Sequence, residues 1–278
     1  MDQKTVNKIM KNAVAAGDIL KRFRNEGGSI ERLCKSFHLR PTSKGITLVS
    51  MLPEAPMRGV LLPKAEEDAV KLLKKAVEIV PSDRFYSDGV VVEKETELGF
   101  EKRNNVNPLE EGIQAQFIRE MMAEEEAYQG IHFVASELTI GDNKRFDVVG
   151  IKGTTLYLFE LKRDRSKAAA PQVKAYCYYV EQYKDTFRDV LSSYPLIDMT
   201  KKCVASVPSF ESVKGIAVMC YAANSPLKTW KDWKEAALDV KSDAKHITDI
   251  SDVDIWLYNV GALSFRKLSE NESMQSDF

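Results

Sequence analysis

Two apolar runs, FDVVGI (146–151) and LYLFEL (156–161), flank Lys152-Gly153 near the middle of the chain. β-branched and aromatic residues dominate both runs and a glycine sits at the break, which predicts a β-hairpin. Side chains alternate along a strand, so Asp147, Val149 and Ile151 share one face. On the partner, Leu156, Leu158, Glu160 and Lys162 share a face. A two-residue loop that pairs Ile151 with Thr154 puts Asp147 opposite Leu158 and diagonal to Glu160, and diagonal neighbours lie about 7–8 Å apart. Two acids and a lysine on a mostly apolar face are costly to bury unless they are paired or bound to an ion. Their oxygens suit Mg²⁺ (or Mn²⁺), and Mg²⁺ takes few protein carboxylates and keeps several waters. The backbone carbonyl of Leu161 is a further candidate ligand. A metal lowers the pKa of bound water, and Lys162 can orient that water or stabilise developing phosphorane charge.

Asp147 followed by Glu160-Leu161-Lys162 on the next strand resembles the PD-(D/E)xK nuclease superfamily. Gln172 and Tyr176, four apart on one helical face, match the Q-x-x-x-Y element of its RecB-like and archaeal NucS-like branches. The basic string Arg163, Arg165, Lys167 is similar to those branches too. The family usually carries an acid on the helix before the hairpin, and two residues qualify. Glu110 shares a face with Ile113, Phe117 and Met121; Glu111 fits E-x-x-Q-x-x-[LF] through Gln114 and Phe117. Phe146 stands where the family name has proline. E-x-K alone carries little weight in a chain with 29% charged residues. Its place on an apolar strand, one hairpin after Asp147 and just before the Q-x-x-x-Y helix, is what makes the pattern specific.

The resemblance covers about Pro108 to Tyr221. It implies an α/β fold with a restriction-endonuclease-like core, a mixed central sheet flanked by helices, joined to an N-terminal α/β domain. It implies a Mg²⁺- or Mn²⁺-dependent deoxyribonuclease, in a setting such as repair, restriction or defence. Asp147 and Glu160 would hold the metal with the Leu161 carbonyl, helped by Glu110 or Glu111. Lys162 would position water or stabilise the transition state, with Gln172 and Tyr176 orienting the lysine, the metal ligands or a phosphate. Arg163, Arg165 and Lys167 precede a helix N-terminus, a place that favours phosphate. DNA, single- or double-stranded, would be the partner, and a homodimer is compatible with this reading. The alternative is a nuclease fold retained as a catalytically inactive module that binds nucleic acid or protein.

The 278 residues suffice for one large or two ordinary domains. We divide them into an N-terminal mixed α/β unit for DNA or partner recognition (1–105), a nuclease-like unit (106–270) and a loose tail (271–278). A net charge of −1 excludes a protein that coats DNA by bulk charge, so nucleic-acid contacts must be local. Cys34, Cys177, Cys203 and Cys220 lack zinc spacing, and free thiols suit a reducing cytoplasm. Nothing resembles a signal peptide, and no apolar run approaches the roughly 20 residues of a membrane span.

Along the chain, helices are predicted over Met1–Arg24, Ser29–Leu39, Lys64–Val80, Pro108–Tyr128 and Ala170–Val190. Ordinary packing is favoured for the first two over a helix-turn-helix reader using Lys35, Arg40 and Lys44. Strands are predicted over Gly45–Met51, Arg58–Leu62, Arg84–Phe100, Ile131–Ile140 and Ile255–Leu268. Gly215–Tyr221 reads as a strand covered on both faces. Leu191–Phe210 reads as irregular or helical, and Trp230 and Trp233 as anchors of a further helix. Glu137 reads as an edge-strand charge, and Tyr178, Tyr179 and Tyr183 as packing residues more than base-stacking ones.

Overall fold

Asp2 opens the first helix by accepting hydrogen bonds from the Lys4 and Thr5 amides at 3.1 and 3.2 Å. That helix, α1, runs Gln3–Asn25, and Ser29 caps the five-residue α2 (Ile30–Cys34) by accepting from the Arg32 amide. A three-stranded antiparallel sheet follows: β1 (Phe37–Thr42), β2 (Gly45–Ser50) and β3 (Gly59–Leu61). Next come α3 (Glu66–Ile79), α4 (Pro108–Ala123), β4 (His132–Thr139), β5 (Arg145–Lys152) and β6 (Thr155–Arg163). The chain continues through α5 (Ala169–Gln182), α6 (Lys184–Ser192), β7 (Pro195–Asp198) and β8 (Cys203–Ser206). It closes with β9 (Ser212–Tyr221), β10 (Asp254–Asn259) and β11 (Ser264–Arg266). This computed structural model describes residues 2–52, 56–79, 98, 108–123, 128–139, 145–163, 169–199, 203–221, 252–259 and 264–266. The expected strands over Arg84–Phe100 (Leu98 apart), the helix of Trp230 and Trp233, and the tail lie outside those residues.

The main sheet is mixed, in the order β11-β10-β9-β6-β5-β4. β6, β9 and β10 are parallel, and the pairs at either end are antiparallel. Period-two alternation sorts its apolar side chains onto two faces. Val148, Phe159, Ile216, Val218 and Trp256 pack on one side with α4 and the N-terminal sheet, in one cluster with Leu20, Phe37, Leu48, Leu73 and Phe117. Val149, Leu158, Ala217, Met219 and Leu257 pack on the other side with Val173 and Val180 of α5, Phe187 of α6, and Val6 and Ile9 of α1. The 217–220 stretch of β9 is therefore buried on both faces, as its unbroken apolar run requires. Gly150 lets α4 approach β5: a Cβ there would lie 2.5 Å from Met121 Cε and 3.1 Å from the His132 carbonyl.

Three expectations about the elements need correction. The second predicted helix stops at Cys34, and Phe37–Leu39 belong to β1. Phe37 continues the helical spacing of Ile30, Leu33 and Cys34, but pairing with β2 wins over that local pattern. No helix-turn-helix forms there: Lys35 pairs with Glu31 at 3.0 Å, and Arg40 is a strand residue paired with Glu137. The helix expected over Ala170–Val190 is two helices, broken at Tyr183, whose φ is −118°. Finally, 191–210 contains the β7–β8 hairpin, with β7 lying against β4.

Buried His38 on β1 faces the main sheet, with Nε2 2.6 Å from Ser136 Oγ and its ring edge-on to Phe133 at 5.3 Å. Burial, and secondarily the Arg40 charge, drives its pKa from 6.5 down to about 3. The unfolded chain thus takes up a proton that the folded chain excludes. The stability this supports is complete above pH 6.5 and falls as pH drops toward 3. His38→Gln should therefore flatten the loss of urea resistance between about pH 7 and about pH 5. Equal pH slopes in variant and wild type would contradict a neutral buried imidazole.

Candidate active site

The β5–β6 turn sets the register of the site. Lys152 pairs with Thr155, Ile151 with Leu156 and Val148 with Phe159. The loop is Gly153-Thr154, not the Lys152-Gly153 expected from the sequence. Gly153, at φ 56°, takes the first turn position, where a type II′ turn needs a positive φ. Val149, not Asp147, stands opposite Leu158, and continuing this register by one step beyond Val148–Phe159 places Asp147 opposite Glu160.

The alternation of β5 breaks at Asp147. Phe146 packs in the same cluster as Val149 and Ile151, whereas strict alternation would group it with Val148. Across the ladder from this point on β4 stands Glu137, flanked by the pairs Ser136–Val148 and Leu138–Phe146. Glu137 has a positive φ of 48°, although the pairs on either side of it keep one register. Its carboxylate is held by Arg40 and, at 3.2 Å, by Arg145, consistent with a structural charge on an edge strand.

Asp147 does not stand out from the sheet as an ordinary strand side chain would. Its Oδ2 accepts a hydrogen bond from the Leu161 amide at 3.0 Å, in the place a ladder carbonyl would occupy. N–H and C=O of one strand residue project to the same edge of the strand. The Leu161 carbonyl therefore also faces the Asp147 side, past the last paired residues. The Asp147 carbonyl accepts from Gln114 Nε2 of α4 at 2.9 Å, so helix and strand both fix this acid. Gln114 was visible only as a letter of the E-x-x-Q pattern; its partner, 33 residues away, was not.

Glu160 follows on β6 and is 1% exposed; its Oε1 accepts from the Lys162 ammonium, which is 18% exposed. Both point toward the face covered by α5, as two residues of one strand parity must. From α5, Gln172 Nε2 donates to the Tyr176 hydroxyl oxygen at 2.8 Å. The Tyr176 ring meets Phe146 edge-on at 4.9 Å. Burial first, then the charge of Glu160, raises the pKa of the Tyr176 phenol; Asp147 pushes the same way, and Lys162 and the Gln172 hydrogen bond oppose them. That phenol thus lies within electrostatic reach of all three charged residues. Asp147, Glu160, Lys162, Gln172 and Tyr176 are brought to one place, at the carboxyl end of β6 beside the parallel strand β9, where α/β sheets commonly bind ligands.

Glu111 is half-buried on α4, one turn before Gln114, and Glu110 precedes it on the same helix. Arg163 ends β6, while Arg165 and Lys167 lie outside the described residues. Tyr179 is buried and packs on Tyr183 and Phe187 at 4.9 and 5.9 Å; Tyr178 is exposed beneath Lys174. Among the described residues, no three His, Cys, Asp or Glu side chains are grouped to hold a metal. Nor, among them, is any helix long and apolar enough to cross a membrane.

No family model matches the chain, and no curated protein matches it. A solved structure described as an EndoMS–dsDNA2 complex is similar over 45% of this chain and 41% of that one, at 19% identity and a TM-score of 0.25. This chain therefore spans less than half of that protein, and a likeness of that size carries no argument about function.

Proposed function

We propose that the chain is a Mg²⁺-dependent nuclease with a restriction-endonuclease-like core that hydrolyses phosphodiester bonds of DNA. What supports this reading is the Asp147 carboxylate on the Leu161 amide, the Glu160 carboxylate on the Lys162 ammonium, and the Tyr176 phenol within electrostatic reach of all three, where the β5–β6 ladder ends.

The donors fit a hard divalent ion. Asp147, Glu160 and the Leu161 carbonyl offer only oxygen, and Mg²⁺ needs one or two carboxylates while keeping several waters. When bound, the ion would supply a water of lowered pKa and positive charge against the phosphate oxygens. The remaining work belongs to the chain. The Leu161 amide and Gln114 lock Asp147 before any ligand arrives, which limits reorganisation. Lys162, the more exposed member of its pair, can turn from Glu160 toward a phosphate oxygen. Tyr176 is a protonated phenol at neutral pH, and burial, then Glu160, shift its pKa further up from the ordinary value. Its oxygen accepts from Gln172, so its hydroxyl proton serves as a donor to a carboxylate or a phosphate.

The test is incubation of the protein with Mg²⁺ or Mn²⁺ and linear, circular, single-stranded and mismatched DNA, beside Glu160→Ala and a chelator control. Metal-dependent cleavage of at least one substrate, absent in the variant, is the expected result. Equal cleavage by wild type and variant would place the chemistry elsewhere. DNA binding without cleavage by either protein would favour the inactive module.

A further inference from the structure

A cleft of about 550 Å³ opens between one side of α1 (residues 8–19), the β1–β2 turn and the segment after β3. Four exposed lysines line it: Lys8 and Lys11 from α1, Lys44 from the turn and Lys64 beyond β3. Several other lysines are committed: Lys71, Lys74, Lys174, Lys184 and Lys214 each hold a carboxylate. Among the described residues, none of the four cleft lysines does. The two acids of the lining are turned to bases outside it, Asp18 to Lys21 at 3.8 Å and Glu66 to Arg22 at 3.6 Å. The cleft is thus a local concentration of positive charge on a chain whose net charge is −1. It is also preformed: Asn12 Nδ2 donates to the Thr42 carbonyl at 2.7 Å, tying the turn that carries Lys44 to α1. Leu61, 56% exposed, adds an apolar wall.

We propose that this cleft binds the phosphodiester backbone of a nucleic acid without reading its sequence. Uncommitted ammonium groups at several points match a ligand with regularly repeated negative charge. Concavity favours a strand over a flat anionic bilayer, which cannot enter a cleft. The described lining contains no aromatic ring, so bases have nothing to stack on and the contacts fall on phosphate and sugar. The inference stands on the cleft alone and does not require the carboxylate cluster to be catalytic.

The test uses the full chain in chelator, with fluorescein-labelled mixed-sequence oligonucleotides, single-stranded and duplex, followed by anisotropy over a salt series. The variant Lys8→Ala/Lys11→Ala/Lys44→Ala/Lys64→Ala should bind at least about tenfold more weakly and lose salt dependence. The slope of log affinity against log salt should fall by about three to four for duplex, at about 0.9 per lost contact, and by about three for single strands. Lys184→Ala/Lys214→Ala, which removes two committed lysines, should leave the slope unchanged. An unaltered slope in the cleft variant overturns the proposal. So does binding to phosphatidylserine vesicles with none to oligonucleotides. Loss of cleavage in Glu160→Ala with full metal-free binding keeps the cleft and the catalytic site separate. A cleft variant with unchanged binding overturns this inference and leaves the nuclease reading standing.

Discussion

Asp147→Asn and Glu160→Gln should each lower metal-dependent DNA cleavage by about 100- to 1,000-fold, the size expected when one preorganised charge-stabilising group is removed. The Asn change is the sharper of the two. Asp147 has a structural duty, accepting from the Leu161 amide at 3.0 Å, and an amide oxygen can still perform it. What asparagine removes is the charge. A folded Asp147→Asn protein that has lost cleavage would therefore isolate electrostatics from architecture. Lys162→Ala should act in the same direction, because it withdraws the ammonium beside Glu160. Activity normalised to the folded fraction, read by circular dichroism, is the measurement. An Asp147→Asn enzyme at the wild-type rate would reduce Asp147 to a cap for one strand amide.

Phe159→Ala should cost about 3–5 kcal/mol of stability, as buried aromatic truncations do. Phe159 is fully buried beside the catalytic candidate Glu160, on the opposite face of β6. Its ring meets Phe117 of α4 and Trp256 of β10, each at 5.4 Å and tilted near edge-to-face. The same cluster reaches Leu20, Phe37 and Leu73 in the N-terminal elements, so the void would open at a junction of helix, sheet and N-terminal segment. Urea unfolding gives the number directly. A loss below about 1 kcal/mol would mean the site collapses around the deletion and is packed less tightly than its contacts imply.

Much of this arrangement was legible because periodicity is a local property. The β5 and β6 runs, the amphipathic α3 and the doubly buried β9 each carry their signature in consecutive residues. The phase of the hairpin was not legible. Lys152-Gly153 and Gly153-Thr154 are one residue apart as turns, and only the positive φ of Gly153 decides between them. That single step moves Asp147 from opposite Leu158 to opposite Glu160. The position of Asp147 is fixed by the Leu161 amide on the next strand and by Gln114 from a helix 33 residues away. Neither leaves a local trace. The basic cleft was hidden for a related reason: Lys44 entered only as part of a helix-turn-helix that does not form, and Lys8, Lys11 and Lys64 look like ordinary surface charges until α1 and the β1–β2 turn are placed side by side.

The most direct measurement is anomalous diffraction from crystals soaked in Mn²⁺. The account predicts one strong peak within coordination distance of the Asp147 and Glu160 carboxylates and the Leu161 carbonyl, lost in Asp147→Asn. A peak elsewhere with that position empty, or the same peak undiminished in the variant, would contradict it.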